Sequence, residues 1–206
     1  MLIKNKDDLY QAIISYSPSD FVSHFIFEPI PFIFDNEISS WIKWKSELGA
    51  SIEVDPKDII LTGSASLGFS LNPHKEYKPF DETSDIDCGI ISSHHFDIAW
   101  RYLRQKRPEW LNLDRTTKDA IKTHSRNYVF EGTIATDKIL GIIPFGKTWQ
   151  SALDKMATLE PTTNREVKLR IYKDYDSLRQ YQTKNLEKLR TNITQNADEF
   201  EIKVED

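Results

Sequence analysis

The sequence predicts an α+β (or α/β) fold, a small mixed β-sheet flanked by helices. Two short apolar runs, at 59–62 and 86–91, and an alternating segment at 167–172 supply strands. Segments with helical apolar spacing lie between them, and strands interleaved with helices point to a sheet covered by helices. The composition permits such a core. The chain has 206 residues, 39% of them hydrophobic, enough to bury a sizeable core without disulfides or structural metal. A charged fraction of 29% and 12% aromatic residues are those of an ordinary folded chain.

Taken in order, Leu9, Ile13 and Ile14 form the apolar stripe of a helix over 7–15. The stretch 21–34 is aromatic and broken by Pro29 and Pro31, which predicts extended chain packed on the core. Asp35 is placed to cap a helix that ends near Gly49, a C′ residue, with Ile38, Trp41, Ile42 and Leu48 on one face. The strand at 59–62 ends in Gly63-Ser64. Residues 72–83, with two prolines and many polar side chains, read as a loop. After the strand at 86–91, Phe96, Ala99, Trp100 and Leu103 have the spacing of a buried helix face, and Pro108 punctuates its end. Arg101, Arg104, Lys106 and Arg107 read as the solvated face of that helix. The region 127–149, with three glycines and Pro144 among apolar residues, specifies no element.

In the last predicted strand Val167, Leu169 and Ile171 alternate with Lys168, Arg170 and Tyr172. Asp174 and Asp176 open a final helix whose far end holds Lys184, Lys188 and Arg190, complementing its dipole. Residues 191–206 are polar and acidic, and a frayed tail is expected there. A single domain is therefore expected over 1–190, with 1–50 as a helical and aromatic extension packed on the core.

Several function classes are excluded or disfavoured. A lone cysteine, Cys88, cannot form an intramolecular disulfide and fits a reducing, cytoplasmic setting. The first residues have no apolar core of signal-peptide length, and no apolar run approaches the ~18 residues of a membrane span. A net charge of −5 argues against coating nucleic acid with the whole surface, though a local basic groove is compatible with it. No Ser-His-Asp or Cys-His spacing and no Walker-type loop is present. An EF-hand over 81–92 fails because Ile86 and Ser92 stand where the required Gly and Glu belong. A zinc site from Cys88, His94 and His95 lacks a fourth ligand. His24, His74 and His124 have no partners visible in sequence.

Two motifs remain. Gly63-Ser64 follows a strand, and glycine there lets a backbone approach a ligand closely, with the Ser64 hydroxyl as a donor to phosphate oxygens. Ser84-Asp85-Ile86-Asp87 enters the next strand, where residues two apart share a face. Asp85 and Asp87 thus face one way while Ile86, Cys88 and Ile90 face the core. Carboxylates held that close repel unless a cation lies between them, and magnesium takes such hard oxygen ligands together with substrate phosphates. Singly, each motif is ordinary turn chemistry. Their conjunction is what points to a site.

That conjunction resembles the DNA polymerase β-like nucleotidyltransferase superfamily, with the match closest over 59–91. The resemblance implies a magnesium- (or manganese-) dependent transferase that moves a nucleoside monophosphate from a nucleoside triphosphate to an acceptor hydroxyl. The resemblance leaves the acceptor open among a nucleotide, RNA, a protein and a small molecule. By the same resemblance Gly63 and Ser64, with Ser84 beside the aspartates, would bind the nucleotide, and Asp85 and Asp87 would be catalytic metal ligands. Two departures stand out. The connection 65–84 is longer than in the family's minimal members, and 72–83 reads as an inserted loop. Active members also carry a third carboxylate on a later strand, where this chain has Lys168 and Arg170. Glu166 and Asp137 are the candidate third acids. Without one, the implied alternative is an inactive nucleotide- or RNA-binding module. An acid facing Asp85 and Asp87 from the later strand favours the transferase, and Arg170 there favours the binder. Lys147, Lys168, Arg170 and Lys173 are candidate phosphate contacts.

Overall fold

The computed structural model describes residues 3–75 and 77–195, apart from the side chains of Pro73, Arg107 and Pro108. It is an α+β fold. Four strands form one mixed sheet: β1 (Ile59–Thr62), β2 (Ile86–Ile91), β3 (Thr133–Ala135) and β4 (Val167–Tyr172), in the order β1-β2-β4-β3. β1 runs antiparallel to β2, β2 parallel to β4, and β3 antiparallel to β4. The three strands expected from sequence all form. β3, in the region that specified no element, adds a short edge of small or β-branched residues, Thr133, Ile134 and Ala135.

Helices cover both faces. α1 (Lys6–Ser15) and α2 (Pro18–Val22) precede α3 (Ile38–Ile52), and α4 (Gly63–Leu67) follows β1 directly. α5 (Ser93–Gln105), α6 (Arg115–Thr123) and α7 (Gly146–Met156) lie between β2 and β4, and α8 (Tyr175–Gln195) ends the described chain. The main core joins α3, α5 and α7 to one sheet face, where Ile86, Cys88, Ile90, Leu169 and Ile171 point. A second cluster packs α1 and α2 against α8 through Leu9, Ile13, Phe21, Leu186, Leu189 and Ile193. This cluster, beyond the sheet itself, secures the first part of the N-terminal extension, while α3 belongs to the main core.

Several expectations are corrected. The stretch 21–34 is not extended. α2 runs into a π-helical turn at Ser23–Phe27, and a 3-10 turn forms at Phe32–Phe34. Ser17 caps α2 and Pro18 sits in its first turn, so a helix start replaces the extended chain inferred from the later prolines. Asp35 does not cap α3; it closes the preceding 3-10 turn in left-handed conformation (φ 46°). α3 buries Trp41, Trp44, Leu48 and Ile52, while Ile38 and Ile42 are half exposed. The Trp44 indole N–H donates to Thr162 Oγ1 at 2.9 Å, which satisfies a buried donor and favours that face. Gly49 lies inside α3 and does not end it: the chain returns so tightly that a Cβ there would meet the Val54 carbonyl at 2.5 Å. The final helix continues past 190, because Ile193 extends its buried stripe. Residues 191–195 are therefore helical, and the rest of the expected tail, 196–206, lies outside the described residues.

Candidate functional site

The period of two in β2 divides its side chains cleanly. Ile86, Cys88 and Ile90 are buried in the main core, and Asp85 and Asp87 emerge on the opposite face beside α8. Gly89 continues that face, leaving room for the Tyr172 ring, which a Cβ would meet at 3.2 Å. β1 ends where β2 begins, with Thr62 opposite Asp87. Gly63, one residue on, adopts φ +65°, and a Cβ there would lie 2.8 Å from Asp87 Oδ2. Glycine is required twice over, for the left-handed backbone and for contact with the carboxylate.

These residues line a cleft of about 320 Å³, whose walls also include Asp137, Lys168, Arg170, Tyr181 and Gln182. The parallel pairing of β2 with β4 sets Lys168 directly across from Asp87 and Arg170 across from Gly89. Lys168 Nζ donates to Asp85 Oδ2 at 2.7 Å and lies 3.2 Å from Glu166 Oε2. Glu166 is the more exposed partner, and its backbone carbonyl accepts from the Ile86 N–H. The position facing the two aspartates thus holds a base. Asp137, in a 3-10 turn after β3, is the further carboxylate lining the cleft.

The electrostatics follow from this packing. Burial would raise the Asp85 pKa, but the hydrogen bond and charge of Lys168, helped by Lys75, leave it lowered. Asp87 is open to water at the cleft floor yet walled on most sides. That loss of solvent, and then the Asp85 charge, push its pKa up against the pull of Lys168, Arg170 and Lys75. Lys168 is raised to about 12, chiefly by its hydrogen bond to Asp85. Arg170 is held between two rings, its guanidinium 5.1 Å from Tyr128 and 4.9 Å from Tyr181. Its Nη1 is buried with no hydrogen-bond partner among the described residues.

The site residues expected from sequence separate into two groups. Gly63, Asp85 and Asp87 come together, with Lys168, Arg170 and Asp137 beside them. Ser64 stands one residue into α4, half-buried, and is not part of the cleft wall. The Ser84 hydroxyl is engaged elsewhere: it donates to Asp81 Oδ1 and accepts from the Asp81 N–H, closing a turn. Lys147 is exposed in the first turn of α7, and Lys173 lines other surface grooves. Cys88 is sealed in the core and His95 packs on Phe145 and Trp149, so no zinc site assembles there. Tyr181 and Gln182, which line the cleft, and Tyr128, which packs on Arg170, are elements that the sequence does not signal. Their partners lie on distant segments, and Tyr181 falls off the buried stripe of α8.

Asp85 and Asp87 suit magnesium, which is commonly held by one or two carboxylates plus substrate phosphates. Among the described residues no group of three or more His, Cys, Asp or Glu is gathered closely enough to hold a metal. No described helix is long and apolar enough to cross a membrane. Comparisons with protein-family models, curated proteins and solved structures find no match to this chain.

Proposed function

We propose that the cleft binds the phosphates of a nucleoside triphosphate with magnesium on Asp85 and Asp87, and that the protein is a nucleotidyltransferase acting on an acceptor hydroxyl. The observation that carries this reading is the contact of Gly63 with Asp87, which joins the two sequence motifs at one cleft floor. Bound magnesium polarises phosphoryl oxygens and stabilises departing pyrophosphate. The chain's own groups do the rest. The Gly63 backbone leaves space for the Asp87 carboxylate at the cleft floor, and Lys168 exchanges its hold on Asp85 for the arriving phosphates. Arg170, pre-set between Tyr128 and Tyr181, lines the cleft and adds its fixed positive charge to the phosphate site. The acceptor oxygen forms a bond to the α-phosphorus as the bond to the pyrophosphate oxygen breaks. Asp137 is the carboxylate available to take the hydroxyl proton.

A second reading, binding without transfer, is favoured by one specific observation: Lys168, a base, stands opposite Asp87. One experiment separates the two. Each labelled triphosphate is incubated with magnesium or manganese, and pyrophosphate and labelled product are sought. Turnover that is lost in Asp137→Asn with binding retained supports the transferase. Binding with no turnover supports the module. Absence of triphosphate binding would contradict both.

A further inference from the structure

A cavity larger than the aspartate cleft lies away from the aspartates. It measures about 760 Å³ and is built from α5, α6 and the π-helical turn His124–Tyr128. Leu103, Ile121 and His124 form a buried floor. His124 has both ring nitrogens satisfied: Nδ1 donates to the Ala120 carbonyl at 2.7 Å, and Nε2 accepts from the Ala135 N–H at 3.2 Å. The floor is therefore closed and largely apolar, with Trp100 and Trp110 as aromatic walls.

The rim is cationic. Arg104, Lys122 and Arg126 line the cavity, and no lining residue carries a carboxylate. This is unusual in a chain of net charge −5. Three neighbouring basic residues are matched by a nearby acid on the same segment, Arg101 with Asp97, Lys106 with Glu109, and Arg115 with Asp119. Arg104, Lys122 and Arg126 form no ion pair among the described residues. Two of them lie on the aromatic walls instead, Arg104 4.5 Å from the Trp100 ring and Lys122 5.5 Å from Trp110. An arginine read as a plain solvated helix face thus belongs to a built wall. Unmatched positive charge calls for an anion, while indole and guanidinium planes stack on flat rings. The volume lies within the usual range for small-ligand pockets, roughly 300–1,000 Å³.

We infer that this cavity is a second ligand site, which takes a nucleoside phosphate with its base against the aromatic walls and its phosphate on Lys122 and Arg126. The nucleoside phosphate is either a free mononucleotide or the end of a single RNA strand. This inference does not depend on the aspartate cleft, which is a separate site on the sheet.

The test is tryptophan fluorescence of the full chain in chelator, titrated with a nucleoside monophosphate and, separately, with a 5′-phosphorylated trinucleotide. Saturable quenching is expected with at least one of them. Tighter binding of the trinucleotide assigns the site to a strand end, and equal binding assigns it to the free nucleotide. Lys122→Glu combined with Arg126→Glu, both exposed positions, should weaken binding at least tenfold. Trp110→Leu should remove most of the quenching. Asp85→Asn with Asp87→Asn should leave both unchanged. No saturable quenching by either probe would overturn the inference. So would quenching insensitive to the charge reversals, or equally strong competition by inorganic phosphate alone.

Discussion

Lys168 Nζ lies 2.7 Å from Asp85 Oδ2, and the same lysine is the register partner of Asp87. The protein's own ammonium therefore stabilises a carboxylate pair that otherwise calls for a metal ion. Removing it separates two effects. Lys168→Gln should strengthen binding of magnesium alone, because Asp85 loses its competitor. It should weaken triphosphate binding by roughly the 1–3 kcal/mol of a hydrogen bond to a charged group. Calorimetry of both ligands on both proteins checks this, and weakening of both would mean that Lys168 acts only by holding the cleft together.

The two aspartates should respond oppositely to neutralisation. Asp85→Asn loses a partly buried ion pair and should cost on the order of 1 kcal/mol. Asp87→Asn should stabilise, because the Asp87 pKa is raised by burial and by the Asp85 charge. A carboxyl whose folded pKa lies above its unfolded value opposes folding at neutral pH, and that penalty disappears as the pH falls below the unfolded value. The gain from Asp87→Asn should accordingly shrink in acid. Thermal melts of both variants at neutral and acid pH, without metal, test the pair.

Gly63 is the hinge between the motifs. Gly63→Ala places a Cβ 2.8 Å from Asp87 Oδ2 at a backbone φ of +65°. The left-handed conformation alone should cost about 1–2 kcal/mol, and the displaced carboxylate should weaken triphosphate binding at least tenfold. Stability and affinity measured together check this. An unchanged affinity with lowered stability would reduce Gly63 to an ordinary turn residue.

Both halves of the cleft floor are legible in the sequence because each is local. A glycine after a strand, and two acids spaced by two at the start of another, carry their geometry in the backbone. The facing of Ile86, Cys88 and Ile90 to the core follows from the same period. What is not legible is what distant segments bring. The rings that hold Arg170 come from Tyr128 in a π-helical turn and Tyr181 on α8, and no periodicity joins them. β3 is too short to show a pattern, and its place at the edge is set by pairing with β4. The extension misread as extended chain is helical because Leu186, Leu189 and Ile193 of α8 supply an apolar partner that no local rule reveals. His124, without a visible partner in sequence, is held by two backbone groups.

Two buried histidines set an acid limit on stability. Burial is the first cause that lowers the pKa of both His95 and His124, and it outweighs the hydrogen bonds and acidic charges that act the other way. The folded chain keeps them neutral, while the unfolded chain takes up protons near pH ~6.5. Stability is then complete above that value and is lost as the pH falls from it toward the lower folded pKa values. Each histidine contributes at most about 1.4 kcal/mol per pH unit in that window. Urea denaturation midpoints measured from neutral to mildly acid pH should fall, and the fall should flatten in His124→Gln. A flat profile in the wild type would show that neither ring is held neutral by the fold.

The most direct measurement is isothermal titration calorimetry of a non-hydrolysable triphosphate, with and without magnesium, on the wild type and on Asp85→Asn with Asp87→Asn. With the α5–α6 cavity disabled in both proteins by Lys122→Glu and Arg126→Glu, the chain with intact aspartates should bind saturably only with magnesium, and the one without them, still folded by its melting transition, should not bind. Triphosphate binding that is equally tight in both proteins, or that ignores magnesium, would contradict the assignment of Asp85 and Asp87 as the ligands of a nucleotide-bound metal.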